Sequence, residues 1–160
     1  MAMQSPLQPD AWRTNHVGHW LRLALERFDA RVQGLMASHP AVPLGLANLA
    51  ARGQIGAAHI HITRHLELQG TRLTALAARA GMTKQAMATL VSQCEAWGMV
   101  ERSDDPADAR ARRICFTAAG LAWVQAYQDA VAQAHLELEQ AVGSEVATVI
   151  ALGLEAYAGQ

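Results

Sequence analysis

Residues 73–120 read LTALAARAGMTKQAMATLVSQCEAWGMVERSDDPADARARRICFTAAG, and this stretch decides the fold. Its apolar residues recur at helical spacing in two short runs that meet at Gly81, and a strongly charged segment follows them. Glycine accepts the left-handed backbone that ends a helix sharply, so Gly81 predicts a tight turn between two helices. Two helices, a turn and a charged hairpin predict a winged helix-turn-helix, and therefore a DNA-binding regulator.

The second helix of this motif has one face for the core and one for a partner. Thr83 is well placed as its N-cap, and the inward positions are Met87, Leu90, Val91 and Cys94. Glutamine can form paired hydrogen bonds with an adenine edge, and lysine can contact guanine or a phosphate. Threonine can contact a base edge or a phosphate. On an isolated helix, the same residues would also be typical of a face that is merely exposed to solvent. The charged hairpin that follows favours the DNA-binding interpretation. The predicted DNA contacts on this helix are Thr83, Lys84, Gln85, Ala88 and Thr89.

The charged segment predicts a two-stranded wing. A strand begins at Met99, turn-forming residues fill 104–109, and a second strand returns over 112–116. Arginine on a narrow tip can enter a compressed minor groove. We therefore predict that Arg110 and Arg112 contact DNA, and that Asp108 is structural and braces Arg110.

Helices are predicted on both sides of the motif. Apolar spacing and proline or glycine breaks give the ranges 11–38, 44–51, 57–68 and 118–142, with Ser144 as the N-cap of a last helix. The fold class is therefore mainly α with a small β-hairpin wing, an α+β arrangement. One domain spans 1–160, with dimerisation helices at 11–38 and 118–158 and the winged helix-turn-helix lobe at 57–117. A helical bundle with no partner is the plainer alternative, which the apolar stripes of the terminal helices disfavour.

Composition and charge narrow the class of protein. The chain is 51% apolar and 17% charged, as in soluble globular proteins, and no apolar run approaches the roughly 18 residues of a membrane span. Residues 1–10 lack the pattern of a signal peptide, so a cytoplasmic protein is expected. The net charge is −1, yet residues 72–113 carry seven basic and five acidic residues, while 114–160 carry five acids and no Lys or Arg. The last third therefore cannot be the surface that meets phosphate.

Five motifs together resemble the MarR family of bacterial winged-helix regulators. They are Leu76-Ala77 before Gly81, the entry Met82 to Met87, the segment Trp97 to Arg102, the wing tip Asp105 to Arg110, and the exit Phe116 to Gly120. Two departures are Thr74-Ala75, where an acidic residue is frequent, and Ala109, where a glycine is frequent at the wing tip. The second departure predicts a stiffer wing.

The resemblance implies an obligate homodimer held by the first and last helices. Two recognition helices would then read half-sites of a pseudo-palindromic double-stranded DNA operator that are roughly 10 base pairs apart. The resemblance also implies repression by promoter occlusion. This repression would be relieved when a small molecule or an oxidant changes the spacing of the two recognition helices.

The effector of such a protein is predicted to be a small aromatic or phenolic molecule. Similar proteins bind aromatic carboxylates and phenols between the long helices and the reading lobe, and the candidate lining residues here are Trp12, His16, His19 and Trp20. Tryptophan at helical spacing is more often part of the core.

Metal or thiol sensing on the same fold is an alternative. His61 and His65 stand four apart, with His59, His16, His19 or Glu67 as possible third ligands, although paired histidines are more often surface residues. Cys94 and Cys115 are interpreted as packing residues, because peroxide-sensing relatives carry their reactive cysteine near the N-terminus. We predict no metal and no cofactor.

Two other classes of function compete with regulation. A winged helix can serve as a protein-interaction module without DNA, but such a module has no need for exposed cations at both Lys84 and Arg110. An enzyme is disfavoured because the chain shows no Ser-His-Asp spacing, glycine-rich phosphate loop or paired carboxylates in an apolar setting.

Overall fold

The structure is a computed structural model that describes residues 11–159, apart from the side chains at positions 57, 61 and 109. Within these residues the chain forms seven α-helices and three strands. In chain order they are α1 Val17–Ser38, α2 Leu44–Ala51, α3 Ala57–His65, β1 Thr71–Arg72, α4 Leu73–Arg79, α5 Lys84–Ala96, β2 Val100–Asp105, β3 Asp108–Phe116, α6 Ala118–Val142 and α7 Ser144–Ala158. The predicted α+β class, mainly helical with a small wing, is confirmed.

The helix-turn-helix forms as the sequence predicts. Gly81 takes a φ of +63°, which lets the chain leave α4 and enter α5 within a few residues. Thr83 is the N-cap of α5, and its Oγ1 accepts a hydrogen bond from the Ala86 N–H at 3.2 Å. The buried faces of the two helices pack against each other through Leu76, Ala77, Met87, Val91 and Cys94.

The sheet contains one strand more than the predicted hairpin. Strands β2 and β3 pair antiparallel, and β1 pairs antiparallel with the other edge of β3, where Thr71 lies opposite Ile114. The β1 strand has two residues, too few to show an alternating pattern in the sequence. It ties the start of α4 directly to the wing.

Three predicted helix boundaries are wrong. Helix α1 begins at Val17 and not at 11, because the His16 ring Nδ1 accepts from the His19 N–H at 3.2 Å and caps the helix there. Helix α3 ends at His65 and not at 68, since Leu66 turns extended and is buried in the core. Ser144 is the first residue of α7 and not its N-cap. Gly143 occupies the cap with a φ of +90°.

Helix α6 links the wing to the terminal helices. Thr117 caps its start, because the Thr117 Oγ1 accepts from the Gly120 N–H at 3.0 Å and donates to the Gly98 carbonyl oxygen at 2.5 Å. Further along, the small residues Ala126, Ala130 and Ala134 are buried, and α6 is in contact with α1. Arg31 of α1 holds Glu137 of α6 with two hydrogen bonds of 2.7 and 2.8 Å.

No single helix among the described residues is long and apolar enough to cross a membrane. Helices α6 and α7 together reach that length and composition, but they are bent by 119° at Gly143.

Gly120 is predicted to stabilise the protein, because it lets the start of α6 pack closely against the backbone of Met99. A Cβ at this position would lie 1.9 Å from the Met99 carbonyl oxygen, so the backbone would have to move. We expect Gly120→Ala to lower the free energy of unfolding by about 1–3 kcal/mol in urea denaturation. Gly34→Ala is the matched control, because its Cβ would meet nothing within 4 Å and a helical alanine gains about 0.5–1 kcal/mol. Equal stability of Gly120→Ala and the parent would refute this account of the contact.

Candidate nucleic-acid interface

The outer face of α5 carries the residues that were predicted to contact DNA. Lys84, Gln85 and Thr89 are exposed, Ala88 is half-buried, and Thr83 stands exposed at the N-cap. The Thr89 hydroxyl donates to the Gln85 carbonyl oxygen at 3.2 Å, and its oxygen lone pairs remain available to a partner. A continuous open surface runs along this face and is lined by Gln85, Ala88, Thr89, Ser92, Gln93 and Ala96.

The wing is held by a buried carboxylate that the sequence analysis did not single out. The side chain of Asp105 has no exposed surface, and its Oδ2 accepts from the Arg72 Nε at 2.5 Å. Its Oδ1 lies 3.1 Å from the Arg113 Nε and accepts from the Ala107 N–H at 2.9 Å. The Ala107 N–H and the two guanidinium groups lower the pKa of Asp105 to about 2.

These contacts join three parts of the reading lobe, by which we mean residues 57–117. Arg72 belongs to β1 at the entrance to α4, Arg113 belongs to β3, and Ala107 lies in the turn of the wing. Ion pairs between residues more than thirty positions apart leave no local pattern in a sequence, which is why Arg72 and Asp105 were missed. The motif Asp104-Asp105-Pro106 predicts only a turn.

Asp108 shapes the tip of the wing. Its Oδ1 accepts from the backbone N–H of Arg110 at 3.0 Å, and its Oδ2 lies 3.7 Å from the Arg72 Nη2. Asp108 therefore contacts the backbone of Arg110 and not its guanidinium, which makes no ion pair with any described residue. Arg112 lies 3.8 Å from Asp104, and both side chains are largely exposed.

A second ion pair connects the wing to the recognition helix α5. The Arg102 Nε lies 3.1 Å from the Glu95 Oε2, and the Arg102 Nη2 donates to the Ser92 Oγ at 3.4 Å. Arg102 lies on β2, while Glu95 and Ser92 lie in the second half of α5. Arg102 therefore supports the packing of the wing on α5, and the cations that face outward on α5 and near the tip of the wing are Lys84, Arg110 and Arg112.

The residues predicted to bind an effector form an exposed group at the start of α1. The His16 and His19 ring centroids are 6.1 Å apart, and those of His19 and Trp20 are 5.2 Å apart. Trp12 and Trp20 are 70% and 57% exposed, so in a single chain these residues do not form a cleft. Their role in effector binding stays a prediction.

A cavity of about 420 Å³ lies elsewhere, between α1, α3 and α6. It is lined by Leu25, Asp29, Val32, Gln33, Ala58, Ile60, Arg64, Met82 and Tyr127. None of the four residues proposed from the sequence lines it. Its walls come from helices far apart in the chain, which explains why sequence spacing did not reveal it.

The cysteines and histidines give no support to a thiol or metal sensor. Cys94 is buried in α5, and this burial raises the pKa of its thiol to about 11, which disfavours the reactive thiolate. The Cys115 Sγ lies 3.1 Å from the Ser103 Oγ. Among the side chains described, no three His, Cys, Asp or Glu residues gather as a metal site. The pair His61 and His65 is not tested, since the His61 side chain lies outside the described residues.

Helix, turn and three-stranded wing define this chain as a winged helix-turn-helix protein. Residues 57–111 match the model of the MarR family. This match covers the helix-turn-helix and most of the wing, and it confirms the resemblance to the MarR family noted in the sequence.

Solved regulators share this fold over nearly the whole chain. The repressor CouR, bound to a 23-mer DNA duplex, is 18% identical, with a TM-score of 0.64 and coverage of 97% of this chain and 99% of that chain. BpsR from Bordetella bronchiseptica, a structure on the regulation of DNA binding by 6-hydroxynicotinic acid, is 20% identical, with a TM-score of 0.63 and coverage of 98% and 99%. A mutant of MepR from S. aureus is 16% identical, with a TM-score of 0.64 and coverage of 90% and 97%. No curated protein sequence matches the chain.

Asp105 is predicted to make stability depend on acid pH. Because the pKa of its carboxyl is lowered in the folded state, the stabilisation is present above about pH 4 and is lost as the pH falls toward 2. We expect Asp105→Asn to be less stable than the parent in urea at pH 7, and the difference to shrink between pH 4 and 2.

The matched control is Asp104→Asn, because the Asp104 side chain is exposed and its ion pair with Arg112 is long. A constant difference between Asp105→Asn and the parent across this pH range would contradict the role given to the buried carboxylate. The contribution of Glu137, whose pKa is also lowered to about 2, cancels in the comparison.

Proposed function

We propose that the chain is a DNA-binding transcriptional regulator that acts as a homodimer on a pseudo-palindromic operator. The observation that carries this proposal is that two exposed cationic side chains project from the same lobe, one from α5 and one from the wing. Lys84 begins the recognition helix, and Arg110 stands at the tip of the wing without an ion pair among the described residues. A helix start in the major groove and an arginine in the adjacent minor groove would give both base and shape readout.

Dimer formation is proposed from the exposed apolar surface of the terminal helices. Trp20 and Leu25 on α1 are more than half exposed, as are Val149, Leu152 and Tyr157 on α7. A single soluble chain rarely leaves so many large apolar side chains in water, and an apolar patch of this kind marks an interface. A twofold pair joined through α1 and α7 would present two copies of α5 to successive turns of the duplex.

We further propose that the protein represses transcription and that a small aromatic or phenolic effector releases it from DNA. BpsR supports this by analogy, since its DNA binding is regulated by 6-hydroxynicotinic acid. In this chain the cavity between α1, α3 and α6 is the favoured site. Arg64 on its wall offers a cation to a carboxylate, and Tyr127 offers an aromatic face. A ligand there would touch both the terminal helices and the reading lobe.

The interaction-module alternative is weaker on the same geometry. It requires a partner that covers α5 and the wing, yet the outward residues there are Lys84, Gln85, Arg110 and Arg112, with few apolar side chains to serve as an anchor.

Gln85 is predicted to read one operator base pair. We expect selection of bound duplexes from a random pool to yield a twofold-related site. On that site Gln85→Ala should lose roughly 1–3 kcal/mol of binding free energy at one position of each half-site. Gln128→Ala on the exposed face of α6 is the control and should bind as the parent does. An unchanged base preference in Gln85→Ala would count against this contact.

The dimer is predicted to depend on α7. Light scattering at micromolar concentration should give twice the 17.2 kDa mass of one chain. The variant Val149→Glu with Leu152→Glu should give the monomer mass, because two buried charges would oppose the apolar interface. Leu44→Glu, at an apolar residue that is 77% exposed on α2, should remain dimeric. A monomeric parent protein would contradict the proposed assembly.

A further inference from the structure

His59 and Gln93 form an ordered polar pair at the boundary between α3 and the recognition helix α5. The His59 Nδ1 accepts from the Gly56 N–H at 3.1 Å, and its Nε2 lies 2.8 Å from the Gln93 Oε1. The His59 ring also packs on Trp97 with centroids 4.7 Å apart. His59 is buried while Gln93 is exposed, so a fixed residue holds a side chain that faces solvent.

The hydrogen bonds of this pair determine the tautomer of the His59 ring and the orientation of the Gln93 carboxamide. A backbone N–H is always a donor, so the His59 Nδ1 must carry no proton, and in the neutral ring the proton lies on Nε2. The Nε2–H then donates, and the carboxamide atom that faces it must be the oxygen of Gln93. The NH2 group of Gln93 therefore points away from His59, and no further partner of it lies among the described residues.

Gln93 lies in the same row as residues proposed to read DNA. Gln85, Thr89 and Gln93 are four residues apart along α5 and line one open surface. Eight residues of helix span about 12 Å, which is about the width of the major groove. A side chain that is already ordered loses less conformational entropy when it binds.

We propose that Gln93 is a further DNA-contacting residue, and that His59 is the positioning residue that aims its NH2 group at a phosphate or a base-edge acceptor. The inference rests on the proposed function as a DNA-binding regulator. It adds a hydrogen-bond donor in the second half of α5, beyond the contacts proposed for Lys84 and Gln85.

A double-mutant cycle on operator affinity tests this pair. Gln93→Met keeps the length of the side chain and removes the donor, and we expect a five- to tenfold loss of affinity for the selected duplex. His59→Asn keeps an acceptor for the Gly56 N–H but cannot reach Gln93, and we expect a similar loss. The double variant should lose no more than either single variant, because both changes remove the same contact.

Two further readouts separate positioning from a general loss of structure. Gln93→Glu keeps the acceptor for His59 and places a carboxylate oxygen where the NH2 stood, so affinity should fall further than in Gln93→Met. The ¹⁵N shifts of the His59 ring in the free protein should show the proton on Nε2. Additive losses in the cycle, Gln93→Glu binding as well as the parent, or a proton on Nδ1 would each overturn the inference. A parent protein that binds no duplex would instead overturn the proposed function as a whole, so the two failures are distinguishable.

Discussion

The reading lobe depends on one buried negative charge, the carboxylate of Asp105. A carboxylate without solvent contact is costly unless it is paired and hydrogen-bonded, and here two guanidinium groups and a backbone N–H satisfy it. Because Arg72 comes from β1 and Arg113 from β3, this charge reinforces the strand pairing that positions the wing relative to α4. The tip that carries Arg110 is therefore built on the same support as the helix-turn-helix. Loss of the carboxylate would leave the guanidinium groups of Arg72 and Arg113 without their shared buried partner and would weaken the support of the wing.

Helix α6 connects the reading lobe to the part of the chain that is proposed to dimerise. At its start, Gly120 lies against the Met99 carbonyl and Thr117 binds the end of the α5–β2 connection. Further along it contacts α1, and the Arg31–Glu137 pair joins the two helices. A movement at the cavity between α1, α3 and α6 would therefore reach the reading lobe through packed helices, which is the physical route for the effector response proposed above.

Local features of the fold were predictable from the sequence because local chemistry determines them. The turn at Gly81, the cap at Thr83 and the full length of α6 each follow from residues within a few positions of one another. The β1 strand and the Arg72–Asp105 ion pair were missed because they join positions far apart in the chain. The outward face of α5 was predicted by helical periodicity, but Gln93 was not singled out, since its importance depends on a buried histidine from another helix.

We expect DNA to contact two separate segments of each chain, the outer face of α5 and the tip of the wing. The most direct measurement is the change in backbone amide NMR shifts when a selected operator duplex is added to ¹⁵N-labelled protein. We expect the largest changes at residues 83–89 and 107–112, with the amides of the buried half of α6 unchanged. Shifts concentrated on α2 or α7, with both of these segments unaffected, would contradict it.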